Sequence, residues 1–128
     1  MSPRKARMTG TPESKRQRSR AWPVAHDRYG ERHLRAVLRS NGELVLEGQD
    51  LGRDLPFAGL SGVTEYEYAH TIPAEEVPRL VEVLGGGPGD DVLHLLIAFF
   101  PEGAMTNFSE FFKEHGIKAG IWNHFDAD

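Results

Sequence analysis

The stretch HLRAVLRSNGELVLEG, residues 33–48, constrains this chain more than any other segment, because it predicts a β-hairpin with one particular register. Two stretches of alternating polar and apolar residues flank Asn41-Gly42, a strong sequence signal for a tight hairpin turn. A three-residue loop with Gly42 in the left-handed region pairs residues whose side chains match. The predicted cross-strand pairs are Arg39–Glu43, Leu38–Leu44, Val37–Val45, Ala36–Leu46 and Arg35–Glu47.

A two-residue loop is the alternative, and it would pair Leu38 with Val45. It would also pair Ala36 with Glu47, so polar and apolar side chains would share a face. Burying a leucine is worth roughly 1.5–3 kcal/mol, whereas an exposed ion pair contributes about 0–1 kcal/mol. The apolar side chains therefore set the register, and the charged pairs agree with it. The face predicted to point inward consists of Leu34, Ala36, Leu38, Leu44 and Leu46.

A third strand is predicted over residues 64–72, whose sequence TEYEYAHTI alternates again. One face carries Tyr66, Tyr68 and His70, and the other carries Glu65 and Glu67. Alternation of this kind is typical of a strand with one buried side. We expect the tyrosine face to point inward and the acidic face outward.

Three helices and a last strand follow. Residues 73–84 carry one apolar stripe, and Pro78 is compatible with a helix only in its first turn. Residues 89–100 contain Asp90-Asp91 at a helix start and then VLHLLIAFF, which is apolar nearly all round and predicts a central buried helix. Residues 106–115 begin with a capping-box spacing, and residues 117–125 are predicted as a short strand. The order β-β-β-α-α-α-β predicts an α+β domain with helices packed on one face of a small antiparallel sheet.

Charge is distributed unevenly along the 128 residues. Residues 1–28 carry eight basic and two acidic side chains, whereas residues 29–128 carry seven basic and 17 acidic ones. The first segment has few aliphatic residues, so we expect a disordered basic tail before a single compact acidic domain at 29–128. The tail is interpreted as a solvated extension; two alternatives are that it binds phosphate backbones or docks on its own acidic domain.

The absence of cysteine excludes disulfide frameworks, thiol catalysis and cysteine-ligated metal sites. It also agrees with a cytoplasmic location, as does the lack of an apolar run of about 20 residues, the length that a membrane helix needs. The sequence contains no phosphate-binding glycine motif and no metal-binding histidine motif, and His94 is expected to be a core residue. We therefore predict no cofactor, no metal ligand and no catalytic residue, and an enzyme is the less favoured interpretation.

Seven residues on the third strand and near the C-terminus remain as candidates for binding. The exposed acidic strip of the third strand would suit a basic protein partner, and aromatic residues near charge are typical of binding surfaces. Alternatively, the aromatic and histidine members of the set would line one cleft for a small molecule. The candidates are Glu65, Tyr66, Glu67, Tyr68, His70, Trp122 and His124.

The phrases GELVLEGQDLG, TEYEYAHTIPAEEVPRLVEVLGG and HGIKAGIWNHF together resemble a family of short bacterial proteins that is common in actinobacteria. The resemblance covers residues 32–125 and leaves out the basic tail. It implies one compact cytoplasmic domain, and it carries over no activity and no functional residue. In size and charge the domain also looks like the immunity proteins of bacterial toxin systems.

Three functional hypotheses follow. The first is an interaction protein, immunity-type or antitoxin-like, that binds a basic protein through its acidic domain. The second is a small-molecule-binding or enzymatic domain that uses the tyrosine, histidine and tryptophan cleft. The third is association with nucleic acid through the tail alone, which the acidic domain would oppose. No membrane partner is expected.

Overall fold

The structure is a computed structural model, and it describes residues 16–28, 30–52 and 63–127. Six antiparallel strands and three helices make up an α+β fold, as the sequence predicts. The strands are β1 Arg18–Ala21, β2 Ala25–Asp27, β3 Gly30–Leu38, β4 Leu44–Gly52, β5 Val63–Ile72 and β6 Gly120–Ala127. The helices are α1 Val77–Val83, α2 Val92–Phe99 and α3 Phe108–Glu114, and short 3-10 turns lie at Ala74–Glu76 and Gly103–Met105.

The hairpin of β3 and β4 has the predicted register. All four predicted pairs within the strands form, from Leu38 opposite Leu44 to Arg35 opposite Glu47. The Arg39 amide donates to the carbonyl oxygen of Glu43 at 2.8 Å, which closes the three-residue loop. Gly42 has a φ of 94°, a conformation that favours glycine. The choice between the two loops is therefore confirmed.

The expected disorder of residues 1–28 is wrong for the part that the structure describes. Strand β1 pairs with residues 35–38 of β3, and β2 pairs with residues 30–32 of the same strand. Between them, Trp22 is buried and donates from Nε1 to the carbonyl oxygen of Phe100 at 2.7 Å. Composition averaged over the segment hides this one large side chain, which together with backbone pairing offsets the entropy of ordering. Residues 1–15 lie outside the described residues.

The docking of this segment also has an electrostatic component. The guanidinium of Arg18 donates to both carboxylate oxygens of Asp91, at 3.1 and 3.3 Å. Asp91 is the N-cap of α2 and also accepts from the Leu93 amide at 3.0 Å. The alternative in which basic residues dock on the acidic domain is thus realised at Arg18.

The core lies between the sheet and the helix layer. The inner sheet face contributes Leu34, Ala36, Leu44, Leu46 and Ile72, and Leu38 packs against this group while staying partly exposed. The helices contribute Leu80, Val81, Val92, Leu93, Leu96, Phe108 and Phe112. This arrangement confirms the predicted inward face of the hairpin, and no helix of the described residues covers the opposite face of the sheet.

The helix ends follow their sequence signals, but α2 is less buried than predicted. Pro78 lies in the first turn of α1, and Asn107 accepts from the Glu110 amide at 3.1 Å as the N-cap of α3. In α2, by contrast, His94 is exposed and Phe99 keeps 47% of its surface accessible. A single helix layer on a sheet has one side facing water, so even an apolar helix buries one face only. His94 is therefore not the core residue that the sequence predicted.

Among the described residues, no helix has the length and apolar character needed to cross a membrane.

Candidate functional site

Strand β5 divides the seven candidate residues between the two faces of the sheet. Tyr66, Tyr68 and His70 point to the inner face, with the core, whereas Glu65 and Glu67 point to the face without helices. The predicted inward tyrosines and outward acids are therefore confirmed.

The last strand places the remaining two candidates on the face without helices. In the β5–β6 register, His124 lies opposite Glu67 and Trp122 lies opposite Ala69. Residues that are directly paired across strands share a face. The single cleft predicted from Tyr66, Tyr68, His70, Trp122 and His124 therefore does not form, because the pairing puts its members on opposite sides of the sheet.

The side of the sheet that no described helix covers is called the outer face. Its acidic strip consists of Glu65 and Glu67 on β5. Glu65 accepts a hydrogen bond from Nε2 of Gln49 at 2.7 Å. This bond, followed by one with Glu67, lowers the pKa of Glu65 below its ordinary value of 4.5. Glu65 is thus ionised at neutral pH, and its side chain stays partly accessible to solvent.

A cleft of about 490 Å³ crosses the outer face. Its lining includes Ala21, Val24, Arg35, Glu47, Glu67 and Trp122. At one end Trp122 keeps 55% of its surface accessible. Its ring lies nearly parallel to that of His124, with a centroid distance of 6.3 Å and an angle of 14°. Exposure of a large aromatic ring beside a cleft is typical of a binding surface.

The arginines of the outer face are matched by glutamates. Arg35 donates to Glu47 from both Nε and Nη2, at 3.2 and 2.7 Å. Arg39 donates to Glu43 at 3.2 Å. Because these pairs neutralise each other, the two arginines do not offset the negative charge of the acidic strip, Glu65 and Glu67.

The inner face carries a row of rings beyond the aliphatic core. The rings of Tyr66 and Tyr68 stack at 5.6 Å, and Tyr68 meets His70 edge-on at 5.7 Å. His70 in turn meets Phe112 of α3 at 5.8 Å. Tyr68 lies over Gly48 of β4, where an added Cβ would stand 2.0 Å from its Cζ. Glycine at this position is what lets the tyrosine ring lie across the strand.

Asp50 and Arg32 complete this inner cluster, and neither is among the seven candidate residues. Asp50 lies opposite Arg32 on one side and Tyr66 on the other. Only 4% of Asp50 is exposed, and burial raises its pKa to about 6 even though Arg32 acts in the opposite direction. The glycines that flank Asp50, at positions 48 and 52, are typical of a turn, but the hairpin register continues past Gly48 and places Asp50 on the inner face.

The inner cluster borders a second cleft, of about 270 Å³, between the sheet and residues 104–109. Burial and the nearby Asp50 raise the pKa of Tyr68 to about 12, so its hydroxyl keeps its proton. Burial lowers the pKa of His70, which favours the neutral imidazole. The cleft therefore combines neutral aromatic groups with the buried carboxyl group of Asp50 and the guanidinium group of Arg32.

Neither cleft has the residues of a metal centre: within 16–28, 30–52 and 63–127, no three histidine, aspartate or glutamate side chains are grouped so that they could hold an ion. Comparisons with known proteins add no assignment, since no family model, no curated protein and no solved structure matches this chain.

Proposed function

We propose that this chain is a non-enzymatic interaction protein, immunity-type or antitoxin-like, that binds a basic protein on the outer face of its sheet. The observation that carries the proposal is the position of the acidic strip, Glu65 and Glu67, beside the exposed ring of Trp122 on a concave surface. Aromatic anchors and complementary charge are the features that dominate the energy and the rate of protein association.

Charge supports a basic partner over an acidic one. Residues 29–128 carry ten more acidic than basic side chains, so approach by an acidic protein is opposed at long range. At short range, the arginines of the outer face already have glutamate partners. Lysine or arginine side chains of a partner would therefore meet Glu65 and Glu67.

Trp122 supplies the apolar part of the proposed surface. Its ring stands on β6, at one edge of the sheet. Trp122 lies opposite Ala69, the next residue after Glu67 on this face of β5. An aliphatic stem of lysine or arginine can lie on such a ring while its charged end reaches a carboxylate. The outer face thus matches both parts of a long basic side chain.

The test is capture from a native lysate by the full chain, followed by identification of the captured proteins and titration with the purified partner. The variant with Glu65→Lys and Glu67→Lys should weaken binding at least tenfold. The matched control reverses two exposed acids of the helix layer, Glu82→Lys and Glu114→Lys, and changes the net charge by the same amount. It should bind within about threefold of the wild type.

Trp122→Ala should also weaken binding at least tenfold, and raising the salt concentration should weaken wild-type binding. Equal losses of affinity in the two double variants would show that binding depends on net charge alone, and would overturn the proposed surface. A captured partner that is acidic, or capture that no variant changes, would overturn the proposal as well.

A further inference from the structure

We propose that the inner cleft, between the sheet and residues 104–109, binds a small organic ammonium ion with Asp50 as its counter-ion. This site is separate from the proposed partner surface, because it lies on the opposite side of the sheet. The proposed site contains the carboxyl group of Asp50, which lines the cleft and is 4% exposed. Its Oδ1 atom is buried and accepts no hydrogen bond from any described residue.

The charged groups around Asp50 are compatible with one bound cation. The groups that act on it are Arg32 and His33 on β3 and Asp27 on β2. Tyr66, Tyr68 and His70 on β5 also line the cleft or face the carboxyl group, and the segment 104–109 contributes no titratable side chain. Within this set, Asp27 and Asp50 share the guanidinium of Arg32, which lies 3.5 Å from Asp27 and opposite Asp50, so Arg32 alone does not match the charge of Asp50. Either a proton or a bound cation can balance it.

The shape and lining of the cleft favour an organic cation. Tyr66 and Tyr68 place two aromatic rings at its wall, and ring faces attract alkylammonium groups. Met105, Phe108 and Ile121 offer apolar contacts for a short hydrocarbon chain. A volume of about 270 Å³ lies just below the roughly 300 Å³ at which sites for drug-sized ligands begin, so the ligand is small.

The test uses 3-methylbutan-1-amine as the probe and its neutral isostere 3-methylbutan-1-ol as the comparison. Binding to the full chain is followed by amide chemical shifts at pH 7.5. The amine should shift the amides of residues 104–109 and of β4, with an affinity at least tenfold above that of the alcohol. Affinity should fall towards pH 5, because Asp50 takes up a proton around pH 6 while the amine keeps its charge.

The deciding variant is Asp50→Asn, which keeps the shape of the side chain and removes its charge. It should lower the affinity for the amine at least tenfold and leave that for the alcohol unchanged. Glu82→Gln, on the exposed side of α1, removes the same charge far from the cleft and should change neither affinity.

Three results would overturn the inference. Equal affinity for amine and alcohol would make the cleft an apolar cavity without charge recognition. Unchanged amine binding in Asp50→Asn would place the amine elsewhere on the acidic domain. Absence of amine binding at pH 7.5, where Asp50 is mostly ionised, would show that the carboxylate binds no organic cation. None of these results bears on the outer face, so the proposed function would stand or fall separately.

Discussion

The two faces of the sheet are made by the same strands in the same register, yet they contribute very differently to stability and recognition. On the inner face, Leu44 and Leu46 are fully buried against the helices. On the outer face, the neighbouring positions Glu43 and Glu47 form ion pairs in contact with water. One alternation pattern therefore places the leucines on the helix side of the sheet and the charged pairs on the other side, where Val37 and Val45 lie buried between them.

The inner face itself has two parts. Its aliphatic part lies under α1, α2 and α3, whereas the part around Asp50 and Tyr66 borders a cleft whose other wall includes residues 104–109. The first part excludes polar groups, and the second holds a carboxyl group at a cost in stability. Natural proteins commonly keep a destabilising group where a binding or catalytic site requires it.

The largest expected effect belongs to the aliphatic part. Leu46→Ala should lower the free energy of unfolding by about 2–5 kcal/mol, because it leaves a cavity at a position with no exposed surface. Leu38→Ala should cost less, since Leu38 is partly exposed. Urea unfolding of both variants measures the difference. A loss below about 1 kcal/mol for Leu46→Ala would contradict the role given to this face.

Gly48→Ala tests the border between the two inner parts. The new methyl group would overlap the Tyr68 ring, far inside van der Waals contact, so the ring must move, at about 1–3 kcal/mol. Combining it with Tyr68→Ala should recover part of that loss, because the obstructing ring is gone. Gly87→Ala is the control: its Cβ would meet Asp90 at an ordinary 4.0 Å, so a change within about 0.5 kcal/mol is expected.

Asp50→Asn should increase stability in a pH-dependent way. The pKa of Asp50 rises from 3.8 to about 6 on folding, so the native state holds its proton more tightly than the unfolded chain. The stability due to that proton is complete below pH 3.8 and is lost as pH rises through 6. The variant avoids this loss and should gain about 1–3 kcal/mol at pH 7.5.

Urea unfolding at pH 4 and pH 7.5 checks this prediction, with Glu82→Gln as the control expected to show no such gain. At pH 4 the advantage of Asp50→Asn should nearly vanish. An equal gain at both pH values would point to packing and not to the charge of Asp50. If Asp50→Asn is more stable but no longer binds the amine, then Asp50 serves binding at the expense of stability.

The smallest effect is expected on the outer face. Arg35→Ala removes an ion pair whose members are 54% and 42% exposed, and should cost about 0–1 kcal/mol. Urea unfolding at low and high salt measures it, and the difference between the two salt concentrations should be smaller in the variant. A cost approaching that of Leu46→Ala would mean that the pair also shields Val37 and Val45, the buried residues between the charged pairs.

The sequence by itself determined the parts of this protein that depend on local pattern. Alternation and turn chemistry were enough for the β3–β4 register and for the two faces of β5, because a slip by one residue would have turned Leu38 or Tyr68 to the wrong side. The ends of α1 and α3 followed from Pro78 and Asn107, since capping depends on neighbours along the chain.

Only the tertiary structure decided how distant segments meet. The pairing of β6 with β5 separated Trp122 from Tyr68, and no local pattern encodes which residue of one strand faces which residue of another. The strand at Arg18–Ala21 depends on the free edge of β3 and on a distant carbonyl group for Trp22. Asp50 acquired its raised pKa only when the sheet and residues 104–109 removed water from it, because desolvation is a property of the assembled fold.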